Sequence, residues 1–198
     1  MRVKRAVLWV RDVAFDLWEI LHRSRPPAIK ENPRWKLPSV GWIKCNVDAA
    51  FREESGRGAS GGVLRSSDGN FMGAQERTYG HCLNALTMEA WACRDGLRLA
   101  RAHGVMRLCL ETDSLELVNL WNLKDVQRSI LALILREMHE LSMQFDDFVF
   151  SHTCQVCNRV THKVAKQPTG DPGVVVWYSE PPPSIQHLLE SDCTYPAS

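Results

Sequence analysis

A chain of 198 residues with 44% hydrophobic and 24% charged residues is long enough for one packed domain of ordinary size with extensions. Its formal net charge of +1 excludes a global basic field, so any contact with a polyanion needs a local patch. Seven cysteines, odd in number and without a disulfide framework, point to reduced thiols in a soluble intracellular protein, and no run approaches the length of a membrane span.

Residues 3–21 set Val7, Val10, Ala14, Leu17, Trp18 and Leu21 on one stripe, which predicts an amphipathic helix. Its apolar face would dock on the domain or on a protein partner. The apolar run at 6–10 is too short for a signal peptide and is broken by Arg11 and Asp12. Pro26, Pro27, Pro33 and Pro38 then stand among charges, the composition of a linker. The expected organisation is a helix and Pro-rich linker over 1–39, a domain over 40–167 and a tail over 168–198.

Residues 42–51, WIKCNVDAAF, alternate as a strand does. Ile43, Cys45, Val47, Ala49 and Phe51 share one face, and Lys44, Asn46, Asp48 and Ala50 the other. Asp48 is thus a carboxylate inside an apolar strand, which is costly unless it meets a cation, a metal or several donors. The ordinary alternative is a strand Asp satisfied by a nearby Lys or backbone N–H. Two further strands, 58–65 and 70–79, are joined by Ser-Ser-Asp-Gly-Asn, a hairpin signal that makes a three-strand antiparallel meander. The glycines of GRGASGG lack the Gly-Lys-Ser/Thr ending of a phosphate cradle and precede no helix, so they are read as turn and strand glycines.

Helix 83–103 follows, with Leu86, Ala90, Cys93, Leu97 and Ala100 as its buried stripe. At ~100° per residue Glu89 falls on the border of that stripe, able to point under the helix toward the sheet. Strand 105–112 ends at Asp113-Ser114, either of which can cap a short helix over 114–122. A core helix over 129–145, a strand over 147–153 and a helix over 158–167 complete the domain. The tail carries a strand-like run at 174–178 and an amphipathic turn at 185–189, read as an appendage. Strands alternating with helices after a meander predict an α/β fold. Its mixed five-stranded sheet has three antiparallel strands plus two parallel ones, flanked by helices.

Parallel neighbours would set Asp48 beside Asp113, and the crossing helix would bring in Glu89. Three carboxylates in one half-buried site repel one another and suit hard divalent cations with a preference for oxygen. Two such ions can activate a water and stabilise the leaving oxygen of a phosphodiester.

The segments NVDAAF, MEAWACRDGL, LETDSLELV and SHTCQVCNRVTHKVAK, in this order, resemble the ribonuclease H fold. More narrowly they resemble the reverse-transcriptase-related ribonuclease H domains abundant in plant genomes, over about residues 42–167. The closing WYSEPPPSIQHLLESDC is similar to a tail those proteins often carry. The resemblance implies hydrolysis of the RNA strand of an RNA–DNA hybrid with two Mg²⁺ or Mn²⁺ ions. Asp48, Glu89 and Asp113 would be metal ligands, His152 the histidine that assists product release, and Asn158 the asparagine that opens the last helix. The family's fourth ligand, an aspartate, falls on His162, as is common in the plant branch. Gln155 stands where Arg is usual. The resemblance therefore also allows a weakly active or inactive module that binds nucleic acid or protein.

Cys154, Cys157 and His162 match three ligands of a zinc knuckle, but the fourth position is Gln167 and the segment lacks a knuckle's glycines and aromatics. Lys44, Arg52, Arg57, Arg65 and Arg94 are candidate phosphate contacts.

Overall fold

Alternation at 43–52 is realised as the central strand of a six-stranded sheet. The computed structural model describes residues 33–123, 131–167 and 172–193. The helix predicted over 3–21 and most of the Pro-rich segment lie outside the described residues. Strands β1 (Ile43–Arg52), β2 (Arg57–Arg65) and β3 (Phe71–Tyr79) form the antiparallel meander. Helix α1 (Ala85–Ala102) crosses to β4 (Arg107–Thr112), which pairs parallel with β1. Helices α2 (Leu115–Asn122) and α3 (Leu131–Ser142) lead to β5 (Asp147–His152), parallel to β4. A 3-10 turn, Gln155–Asn158, opens α4 (Arg159–Ala165), and β6 (Gly173–Trp177) and α5 (Pro183–Cys193) close the described chain. The strand order is β5-β4-β1-β2-β3-β6.

Each sheet face has its own core. Cys45, Val47, Leu64, Leu108 and Leu110 meet the stripe of α1 and the apolar face of α3. Val63 and Ala74 meet Val160 and Val164 of α4 and Ile185 and Leu189 of α5. Two glycines set the spacing of these layers. A Cβ on Gly96 of α1 would lie 2.5 Å from Val47 Cγ1, so the helix rests directly on β1. A Cβ on Gly61 of β2 would lie 2.7 Å from Ala165 N and 2.8 Å from Thr161 O, so α4 lies backbone to backbone on the sheet.

The sheet has six strands where the sequence predicts five. The run at 174–178 pairs antiparallel with β3, and α5 supplies Ile185 and Leu189 to the second core. Trp35, in the stretch read as linker, is only 7% exposed. Its Nε1 donates to Asn46 Oδ1 at 2.8 Å, and the Arg65 guanidinium lies 3.4 Å from its ring centroid. Arg65 is fully buried, donating to Asp192 of α5 at 2.8 Å and to Asn46 Oδ1 at 3.0 Å. A cation at zero exposure needs this many partners, because each unpaired buried charge costs several kcal/mol. Residues from both flanks of the predicted domain thus meet one buried cation, Trp35 through its ring face and Asp192 through its charge.

Candidate metal centre

The parallel register sets the site. Asn46 lies opposite Glu111 on β4, so Asp48 and Asp113, each two residues on, leave the sheet side by side. Glu89 reaches the same point from α1, in the layer that packs on the opposite face of β1. Ligand oxygens of Asp48, Glu89 and Asp113 all lie within 4.8 Å of one another. Helix α2 is capped by Ser114, whose Oγ accepts from Leu117 N at 3.3 Å, so the cap does not occupy the Asp113 carboxylate.

Asp48 is almost wholly buried. Its Oδ1 accepts from Ala49 N at 2.9 Å and its Oδ2 from His162 Nδ1 at 2.6 Å. An ionised carboxylate can only accept, so the His162 proton sits on Nδ1. His162 is placed by Asn158, a buried residue at the N-cap position of α4 whose side chain makes no capping bond. Its Nδ2 donates to Val47 O at 2.9 Å, and its Oδ1 accepts from Thr161 Oγ1 at 2.9 Å. Those two bonds tie the head of α4 to the backbone beside Asp48. Gly61, opposite Asp48 in the β1–β2 register, lets the helix come down to that distance.

Crowding of like charge shows in the proton affinities. Burial, then the charge of Asp113, pushes Asp48 up to about 6, against opposing hydrogen bonds from His162 and Ala49. Burial, then Asp48 and Asp113, pushes Glu89 up to about 9. Glu89 Oε2 is buried and has no hydrogen-bond donor among the described residues. A buried carboxylate oxygen without a donor, aimed at two other carboxylates, fits a hard divalent cation.

The structure thus brings Asp48, Glu89 and Asp113 together, and His162 adjoins them through its bond to Asp48 without joining the ligand group itself. His152 stands apart from them, exposed at the end of β5 and opposite Thr112 in the register. Cys154 and Cys157 do not join His162 in a metal-ligating group among the described residues, and the His162 Nδ1 is committed to Asp48.

Three of the five cations suggested for phosphate contact have protein partners that account for their placement. Lys44 pairs with Glu111 at 2.6 Å, Arg65 is the buried cation described above, and Arg94 donates to Tyr79 Oη at 2.9 Å and faces Asp95 and Glu137. Their long apolar stems permit burial, and alternation alone does not show that a partner waits at the tip. Arg52 and Arg57 are exposed in and beside the β1–β2 turn. The sequence reading missed Trp35 and Asp192 as partners of Arg65. The one local signal for them was apolar character inside a Pro-rich segment and a tail.

A family model described as reverse transcriptase-like matches residues 46–168. A protein of Arabidopsis thaliana named as a ribonuclease H is 38% identical over 88 residues, which is 44% of this chain and 14% of that protein. Among solved structures, RNase H1 of the halophilic archaeon Halobacterium salinarum aligns with a TM-score of 0.58 at 24% identity, over 64% of this chain and 96% of that one. LC11-RNase H1, isolated from compost by a metagenomic approach and solved in complex with an RNA/DNA hybrid, aligns with a TM-score of 0.57 at 18% identity, over 63% and 94%. At these identities the structural likeness speaks for the fold.

Proposed function

The chain belongs to the reverse transcriptase-like family with its ribonuclease H-like fold, and from that membership we propose that it cleaves the RNA strand of RNA–DNA hybrids endonucleolytically. The observation that carries this reading is the convergence of Asp48, Glu89 and Asp113 within 4.8 Å, with one Glu89 oxygen buried and undonated. These three carboxylates would hold two divalent ions, Mg²⁺ or Mn²⁺. Bound there, such ions supply Lewis acidity and a water acidic enough to attack a phosphodiester near neutral pH.

The chain's own residues prepare that site. The bonds from Ala49 N and His162 Nδ1 hold the Asp48 carboxylate in one orientation and favour its ionised form. Each oxygen keeps a second lone pair for an ion. His162 offers an ion only its Nε2, because Nδ1 carries the proton given to Asp48. It is therefore a weaker donor than the aspartate usual in the family, and it also positions Asp48. Glu89 holds its proton to about pH 9 in the metal-free protein, so ion binding must release that proton. His152, exposed at the rim of the same sheet end, is assigned to assisting product release. Arg52 and Arg57, exposed at the β1–β2 turn, would be candidates to contact a phosphate backbone, and the 2′-hydroxyls displayed in the minor groove would distinguish RNA from DNA.

The 2.6 Å bond between His162 and Asp48, in place of a fourth carboxylate, favours one second reading: a binding module of this fold with little turnover. Cleavage of an end-labelled RNA–DNA hybrid in Mg²⁺ and in Mn²⁺, with duplex DNA and duplex RNA as controls, separates the two. Internal cuts in the RNA strand of the hybrid alone are expected. Binding of the hybrid without cuts in either metal would leave the binding module.

A further inference from the structure

Cys154 and Cys157 lie outside the carboxylate cluster, and nothing in the proposed reaction uses them. Cys154 precedes the 3-10 turn Gln155–Asn158, and Cys157 N donates to Cys154 O at 2.8 Å. In a turn of this pitch the side chains at i and i+3 eclipse, and here the two sulfurs stand 2.9 Å apart. Van der Waals contact between unbonded sulfurs is longer, and a disulfide is about 2.05 Å. Closing a bond asks for a sulfur movement of under ~1 Å, within reach of side-chain rotation. The two thiols also differ in access. Cys154 is half-buried, while Cys157 is 6% exposed. Burial, the neighbouring thiol and the charges of Asp192 and Glu111 keep Cys157 protonated, near 12.

We propose that Cys154 and Cys157 form a reversible redox pair, closed to an intrachain disulfide by exchange with a small-molecule disulfide such as oxidised glutathione. Cys154, the accessible member, loses its proton to solvent and its thiolate attacks one glutathione sulfur. A Cys154–glutathione bond forms, the glutathione disulfide breaks, and one glutathione thiolate leaves and takes up a proton from solvent. Cys157, already beside Cys154 Sγ, loses its proton to solvent, and its thiolate attacks that sulfur; the second glutathione leaves as a thiolate and takes up a proton. Two protein thiols and one glutathione disulfide become one protein disulfide and two glutathione thiols, so atoms and electrons balance. The bond would clamp the turn that leads into Asn158, the residue that ties α4 to β1.

The test equilibrates the full chain in buffers of graded reduced-to-oxidised glutathione ratio, quenches in acid, alkylates free thiols and maps the peptides by mass. Two of the seven thiols are expected to escape alkylation together, both in the peptide that spans 154–157. Cys157→Ser, with its resolving thiol removed, should instead accumulate one glutathionyl group on Cys154 at the same ratio. Cys154→Ser should show neither a disulfide nor an adduct at Cys157. Thermal melting of each variant and of the oxidised chain confirms that the reaction is read on folded protein. Full alkylation of both thiols at every ratio would overturn the proposal. So would pairing of Cys154 or Cys157 with another cysteine, or a Cys157→Ser variant that takes no adduct.

Discussion

Glu89→Gln should make the metal-free protein more stable at alkaline pH and leave it unchanged in acid. Folding raises the Glu89 pKa from an ordinary 4.5 to about 9. Between those values the unfolded chain has released a proton that the folded chain still holds. Stability therefore falls as pH rises through that window and levels off above it. At pH 7.5 the penalty is at most ~4 kcal/mol, at ~1.4 kcal/mol per pH unit above 4.5. Geometry gives the same scale: two unit charges at 4.8 Å repel by ~3.5 kcal/mol at an effective dielectric of 20. Water reaches this half-buried group, so about half of that should be observed, ~2 kcal/mol. For a domain of this size that is a rise of ~4–8 °C in Tm. The assay is thermal melting in chelator from pH 5 to 9, with parent and variant side by side. The two curves should meet near pH 5 and diverge steadily upward. Saturating Mn²⁺ should reverse the order, because only the parent keeps the full donor set. Parallel pH profiles in chelator would refute the argument that burial and the two neighbouring carboxylates raise the proton affinity of Glu89.

Four further outcomes follow from the site and from the buried Arg65. His162→Asp should raise Mg²⁺-supported hybrid cleavage by ~10-fold while lowering the melting temperature in chelator, because it sets another carboxylate against Asp48; equal rates for His162→Asp and His162→Ala would remove His162 from the site. Gly61→Ala should cost ~1–3 kcal/mol in a denaturant melt and lower cleavage, since its Cβ meets backbone atoms of α4 that cannot turn aside. Asp192→Ala should cost about 3 kcal/mol through the buried Arg65, and starting the chain at residue 40, which removes Trp35, should destabilise it in the same melt.

Most of the sheet and the three acids were legible in the sequence because their signals are local. Alternation marks β1, the Ser-Ser-Asp-Gly-Asn turn marks the β2–β3 hairpin, the 3.6-residue stripe marks α1 and α3, and Asp48 stands out as a charge inside an otherwise apolar strand. What escaped depends on pairing between distant segments. The run at 174–178 reads as a strand, but no local feature says that the edge of β3 is open to it. Trp35 sits among prolines and charges, and its burial follows from Arg65, thirty residues on, which itself reads as a surface cation. His162 was legible as a position and not as a bond: its commitment to Asp48 depends on Asn158 and Gly61, which fix where α4 lies.

The most direct measurement compares hybrid cleavage by the parent and by Asp48→Asn in the presence of Mn²⁺, with both melting curves recorded in chelator. Asp48→Asn keeps the shape of the side chain and removes a charge that would hold the proposed ions. Cleavage should be lost, and the variant should melt at the parent temperature or above it, since a repelling charge is gone. A variant that cuts the RNA strand at the parent rate would contradict the account at its centre.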